Sequence, residues 1–154
     1  MINFEQYLIE RKGSSAGQQT KRKVTKEQLK QMITNKDSNI ADVDVSEITD
    51  MSELFKGSDF GGSWTADISE WDTSKVEDMG KMFWGCKELT KVELPNTEKV
   101  EDMRYVFNGC ENLQQDFSSW DITNVRYKDD MFRGCTKMQT AKMNGNDLYP
   151  KGYK

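Results

Sequence analysis

One pattern of hydrophobic and polar residues occurs four times in this chain, at residues 48–58, 76–86, 100–110 and 125–135. Each copy begins with Val or Ile, has Phe seven positions later and Gly two positions after the Phe. In the second copy Val76, Met79, Met82 and Phe83 have the spacing of one helical face, and Gly85 suits a helix end. We therefore predict one short helix in each copy.

The spacing of the copies predicts that they stack. From one repeat phenylalanine to the next the steps are 28, 24 and 25 residues, a period typical of solenoids. Short apolar segments such as 89–94 lie between the copies and are predicted to be brief strands. We predict an α/β repeat fold, a short leucine-rich-repeat-like solenoid of three to four coils with a column formed by these side chains: Phe55, Phe83, Phe107 and Phe132.

The segments that precede the copies differ in one informative way. Trp71 and Trp120 each lie five residues before the first residue of a copy, in matched phrases that contain Trp-Asp. The third copy lacks this tryptophan and has the shorter phrase 95–97 in its place.

An amphipathic helix is predicted before the array. Thr25 and Gln28 have the spacing of a capping box, and Leu29, Met32 and Ile33 form an apolar stripe that can cover the first coil. The predicted organisation is a short helix and flexible basic linker at 1–23, a capping helix at 24–38, the solenoid at 39–149 and a tail at 150–154.

Composition narrows the function classes. The chain has 35% hydrophobic and 31% charged residues, which suits a thin repeated core. Residues 1–35 have a net charge of +4 and the remainder −8, so we expect nucleic acid to bind only weakly, through 21–26. There is no histidine, so we predict a protein that is not an enzyme and needs no cofactor.

Two further repeat positions carry side chains with metal or redox chemistry. Cys86, Cys110 and Cys135 occupy one position, which predicts a ladder of small buried side chains; the alternative is a redox or metal site. A second position holds the acids Asp50, Asp78 and Asp102, for which we predict capping of a helix start, with calcium binding as the alternative.

Large aromatic residues replace polar ones at three repeat positions and predict a protein-binding patch. The aromatic residues are Trp84, Tyr105 and Tyr127, and the basic residues expected beside them are Lys81, Arg104 and Arg133. Clusters of this composition are enriched at interface hot spots. Trp64, in the insertion after the first copy, is a further candidate.

Residues 67–83 resemble the BspA-like leucine-rich repeats of bacterial surface proteins, whose units contain phrases like Asp-Ile-Ser-x-Trp-Asp and Asp-Met-x-x-Met-Phe. The resemblance extends over about residues 24 to 140. It implies a right-handed solenoid and a protein-binding or adhesion role.

The first ten residues can form a short amphipathic helix and are similar to capsid-targeting peptides of internal proteins in tailed bacteriophages. That resemblance implies processing after the motif Leu8-Ile9-Glu10, which would leave Arg11 at the N-terminus. The alternative is a short docking helix that is not removed. No secretory signal or apolar run of membrane-spanning length is present, so we expect no membrane partner and a cytoplasmic or virion-internal location.

The sequence thus favours a protein–protein interaction scaffold that a phage packages in its capsid and delivers to the host. Its partner would be a host protein or a capsid component. The alternative is a bacterial surface or adhesion module.

Overall fold

The computed structural model describes residues 20–138, 142–143 and 146–147. Its regular elements are short: β1 (Arg22–Lys23), α1 (Lys26–Thr34), a 3₁₀ helix (Ser38–Asp42), β2 (Val43–Asp44), β3 (Lys142–Met143) and β4 (Asn146–Asp147). Strands β1 and β2 pair in parallel, and β3 and β4 pair antiparallel. The last two residues of the predicted linker at 1–23 form β1 and pair with β2. The predicted processing motif Leu8-Ile9-Glu10 and the tail lie outside the described residues.

Helix α1 begins as its sequence predicts. The Thr25 side chain accepts a hydrogen bond from the Gln28 backbone, and the Gln28 side chain accepts one from the Thr25 backbone, so the capping box is confirmed. Leu29 and Ile33 are buried in the main core. Lys26 Nζ lies 2.7 Å from Asp50 Oδ1 at the start of the first copy. The helix is therefore fixed to the repeat region by both apolar burial and an ion pair.

The four copies lie one above another and are joined through their backbones. Isolated parallel bridges connect successive copies at one repeat position: Asp50 with Asp78, Asp78 with Asp102, and Asp102 with Tyr127. Beyond each bridge, every second N–H donates to a carbonyl of the next copy. In the second copy, Met79 N donates to Asp102 O at 2.9 Å and Lys81 N to Arg104 O at 2.8 Å.

Phenylalanine side chains form a continuous column through the core. Ring centroids are 5.1 Å apart from Phe55 to Phe83, 5.4 Å from Phe83 to Phe107 and 5.6 Å from Phe107 to Phe132, with interplanar angles of 11°, 4° and 6°. All four rings are buried. The predicted column is confirmed.

The prediction of a short helix in each copy is wrong. Each copy is a run of tight turns, in which several N–H groups bond back three residues, as Met82 N does to Met79 O at 3.0 Å. Two residues per copy have positive φ, Lys81 (57°) and Gly85 (72°) in the second copy, and such residues interrupt an α-helix. The apolar spacing is shared by helices and by these stacked turns, so periodicity alone did not separate them.

The predicted strands between the copies are also absent. Segment 89–94 is not a strand, although its side chains from Lys91 to Leu94 alternate between exposed and buried. Trp71, in the matched Trp phrase before the second copy, is buried. Its Nε1 donates to the Ile40 carbonyl at 3.0 Å and so joins this phrase to the 3₁₀ helix.

The glycine at the end of each copy provides a graded test of stacking. All four have positive φ, so alanine is unfavourable at each by about 1 kcal/mol. A Cβ at Gly57 would meet nothing within 4 Å, whereas one at Gly134 would lie 3.3 Å from Gly109 Cα. We expect Gly134→Ala to lower the free energy of unfolding in urea by about 1 kcal/mol more than the control Gly57→Ala. Equal losses would contradict this close stacking.

Candidate functional site

The aromatic residues singled out from the sequence lie with basic side chains in one series, which we call the aromatic–cation surface. Lys56 Nζ lies 5.6 Å from the centre of the Trp84 ring, Lys81 Nζ 5.8 Å from that of Tyr105, and Arg104 Cζ 5.1 Å from that of Tyr127. Each pair joins two successive copies. One cation–π contact therefore spans each of the three steps between the four copies.

The turn conformation explains how these pairs form. Lys81 and Tyr105 occupy the same repeat position and share positive φ values of 57° and 58°. Equivalent backbones project their side chains in the same direction, so the ammonium group of one copy lies over the ring of the next. Lys56 and Trp84 are likewise equivalent in successive copies. Arg104 reaches its ring differently, beside the Asp102 carboxylate, to which its Nε donates at 2.9 Å.

The aromatic side chains remain available to a partner. Of the large hydrophobic side chains that the structure describes, the exposed ones are Trp84 (40%) and Tyr127 (51%), and Tyr105 is half-buried. A cation–π pair at an exposed site contributes only about 0.5–1 kcal/mol. These contacts orient the rings without covering them.

Two basic residues differ from the sequence-based prediction. Arg133 lies at the repeat position of Trp84 but two copies away, and its guanidinium group forms an ion pair with Asp130 at 3.6 Å. Lys56 contacts Trp84 and was not predicted. The equivalence of Lys56 and Trp84 in adjacent copies was the signal that could have identified this contact.

Trp64 is not part of this surface, contrary to the prediction. Its side chain is 8% exposed and packs against Phe60, with ring centroids 5.1 Å apart. Its position in an insertion suggested exposure, but the insertion folds onto the aromatic core. Its buried Nε1 has no hydrogen-bond partner in the part of the chain that is described.

The carboxylates of Asp50, Asp78 and Asp102 form a column that borders the aromatic–cation surface. Each carboxylate accepts a hydrogen bond from the backbone two residues later, as Asp78 does from Gly80 N at 2.7 Å. The prediction that these carboxylates cap helix starts is wrong, because no helix begins there; the N–H groups that they accept from belong to tight turns. Burial alone would raise the pKa of Asp50 and Asp102. Hydrogen bonds to Asp50 from Lys26 and Ser52, and to Asp102 from Arg104, outweigh this effect and hold each pKa below its ordinary value.

A notch opens at Gly80, where the neighbouring copies have larger side chains. The cavity has a volume of about 250 Å³ and is lined by Asp78, Lys81, Arg104 and Tyr105 together with residues of the first copy. Among the described residues, no group of three or more Cys, Asp or Glu side chains is placed to hold a metal ion. The described part of the chain also contains no helix with the length and apolarity needed to cross a membrane.

The cysteines form the predicted ladder. Each thiol donates to the carbonyl of the repeat phenylalanine one copy earlier: Cys86 to Phe55, Cys110 to Phe83 and Cys135 to Phe107, all at 3.1 Å. All three are buried and free. Burial raises the pKa of the Cys86 thiol from 9.0 to about 11 and that of Cys135 to about 12, and it also raises the pKa of Cys110.

Comparison with known protein families places the chain in an uncharacterised group. Residues 23–144 match the family described as Mycoplasma protein of unknown function, DUF285, and the chain belongs to this family. No curated protein and no solved structure gives a significant match.

The thiols are predicted to resist modification. Because their pKa values are raised, they stay protonated in the folded chain, and a thiol-specific reagent should react at neutral pH only after unfolding. Unfolded Cys86 ionises near 9.0 while the folded thiol ionises near 11, so its contribution to the free energy of unfolding falls as the pH rises through that interval. Denaturant titrations between pH 9 and 11 should show that the free energy of unfolding falls less with pH in Cys86→Ser than in the parent chain. If the thiols of the folded chain reacted with the reagent as fast as those of the unfolded chain, the buried ladder would be contradicted.

Proposed function

We propose that this protein is a non-enzymatic protein–protein interaction scaffold that binds its partner through the aromatic–cation surface. One observation carries the proposal: three cation-over-aromatic pairs follow one another across all four copies, with Trp84 and Tyr127 exposed. Aromatic and arginine side chains are the residues most enriched among interface hot spots. Rings already oriented by cations lose less side-chain entropy on binding.

Side-chain chemistry argues against a catalytic role. The chain has no histidine to act as a general base, and its cysteines are buried thiols with raised pKa values. A protonated thiol is a weak nucleophile. The proposal therefore involves no cofactor or covalent chemistry.

Nucleic acid is disfavoured as a partner, because Lys23 and Lys26 of the basic stretch already form ion pairs with Glu47 and Asp50.

We further propose that the copies are BspA-like leucine-rich repeats in a right-handed solenoid of three to four coils. The parallel bridges between copies and the phenylalanine column support a solenoid. The family match supports the BspA-like assignment, since that family is associated with BspA-like surface repeat proteins.

Two biological settings agree with a scaffold. The proposal that the protein is packaged in a phage capsid, in a virion-internal or cytoplasmic location, depends on Leu8-Ile9-Glu10. A bacterial surface or adhesion module is the second setting, and the association of the family with surface repeat proteins favours it. Genomic neighbourhood separates the two, because virion genes accompany one and cell-wall anchors the other.

The aromatic–cation surface can be tested by removing its rings. The double variant Trp84→Ala/Tyr105→Ala should retain the circular dichroism of the parent chain, since neither ring belongs to the buried core. Capture of a partner from host lysate by the immobilised chain should weaken by about tenfold or more.

A matched control is Glu98→Ala/Lys99→Ala, which alters two exposed residues away from this surface. It should capture the partner as the parent chain does. Undiminished capture by Trp84→Ala/Tyr105→Ala would reject this surface as the binding site.

A further inference from the structure

A second surface lies on the side of the coils where the third copy is shortened. Two cavities of about 500 Å³ and 260 Å³ share Ser69, Lys91 and Glu93 as lining residues and so form one continuous groove. Segments 65–69 and 91–93 both line the smaller cavity. Leu94 and Trp120, both largely buried, contribute to the larger cavity.

The backbone around this groove is incompletely paired. Within residues 20–138, the N–H groups of Ala66, Asp67, Lys91 and Glu93 have no hydrogen-bond acceptor, and no backbone hydrogen bond joins 65–69 to 91–94. By contrast, many backbone hydrogen bonds join the turns of successive copies, so the lack of pairing is confined to the backbone around the groove. Unpaired edges of this kind accept an added strand.

The side chain of Gln115 pairs with the backbone of segment 91–93 on the side away from 65–69. Its side-chain amide accepts from Val92 N at 2.7 Å and donates to Val92 O at 2.6 Å, as the backbone of an adjacent strand would. Successive backbone groups of an extended segment point to opposite sides. Those of Lys91 and Glu93 are therefore directed away from Gln115, toward the gap that 65–69 borders.

We propose that this groove binds an extended peptide segment of a partner protein by strand addition to Lys91–Glu93. The rim specifies the charge of the peptide. Asp67, Glu93 and Asp116 line the groove with one cation, Lys91, which already pairs with Glu93 at 2.5 Å. A peptide with Lys or Arg side chains complements the remaining carboxylates, and a small apolar side chain fits over Leu94 and Trp120.

The experiment uses a displayed library of random dodecapeptides selected against the full chain, followed by affinity measurements on the selected synthetic peptides. We expect basic sequences to be enriched. Ser119→Trp, which places a large side chain in the groove, should weaken binding by about tenfold or more, while the control Ser118→Trp, at an exposed neighbour that does not line the groove, should change it less than about twofold.

Amide hydrogen exchange followed by NMR tests the strand addition itself. The amides of Lys91 and Glu93 should exchange rapidly in the free chain and become protected when the peptide binds. The Trp84→Ala/Tyr105→Ala variant should bind the peptide as the parent chain does, so failure of this inference is distinguishable from failure of the proposed function. Enrichment of no peptide, equal weakening by both Trp variants, or unprotected Lys91 and Glu93 amides in the complex would overturn the inference.

Discussion

The structure depends on backbone hydrogen bonds that run from each copy of the repeat to the next. A run of tight turns cannot satisfy all its own N–H and C=O groups, and buried groups left unpaired are costly. In the second copy Met79, Lys81, Phe83 and Gly85 donate to carbonyls of the third copy, at distances of 2.8 to 2.9 Å. This pairing fixes the register of the copies, so a residue in one copy lies over its equivalent in the next.

Register then determines the side-chain packing. Equivalent phenylalanines stack in the core, equivalent cysteines bond the carbonyl of the preceding copy, and the buried Thr73 hydroxyl donates to Asn96 O at 2.7 Å. The same register places basic side chains over aromatic ones at the surface. Stability and the proposed binding surface therefore arise from one constraint.

The sequence predicted the features that follow from register and missed those that follow from turn geometry. The phenylalanine column, the cysteine ladder and the Thr25 capping box were predictable, because each depends on residue identity at a fixed spacing. The short helices were not separable from stacked turns, since left-handed residues such as Lys81 and Tyr105 are not glycine and carry no compositional signal. The contact of Lys56 with Trp84 could have been predicted from their equivalence in adjacent copies. The groove could not, because it depends on the absence of strands that the sequence had predicted.

The most direct test of the central claim is the measurement of scalar couplings across hydrogen bonds by NMR in isotopically labelled protein. The account predicts a coupling from the Lys81 amide nitrogen to the Arg104 carbonyl carbon, and equivalent couplings from Met79 to Asp102 and from Phe83 to Val106. A coupling from Lys81 to the Glu77 carbonyl, four residues earlier in the same copy, would instead indicate a helix and contradict the stacked-turn structure.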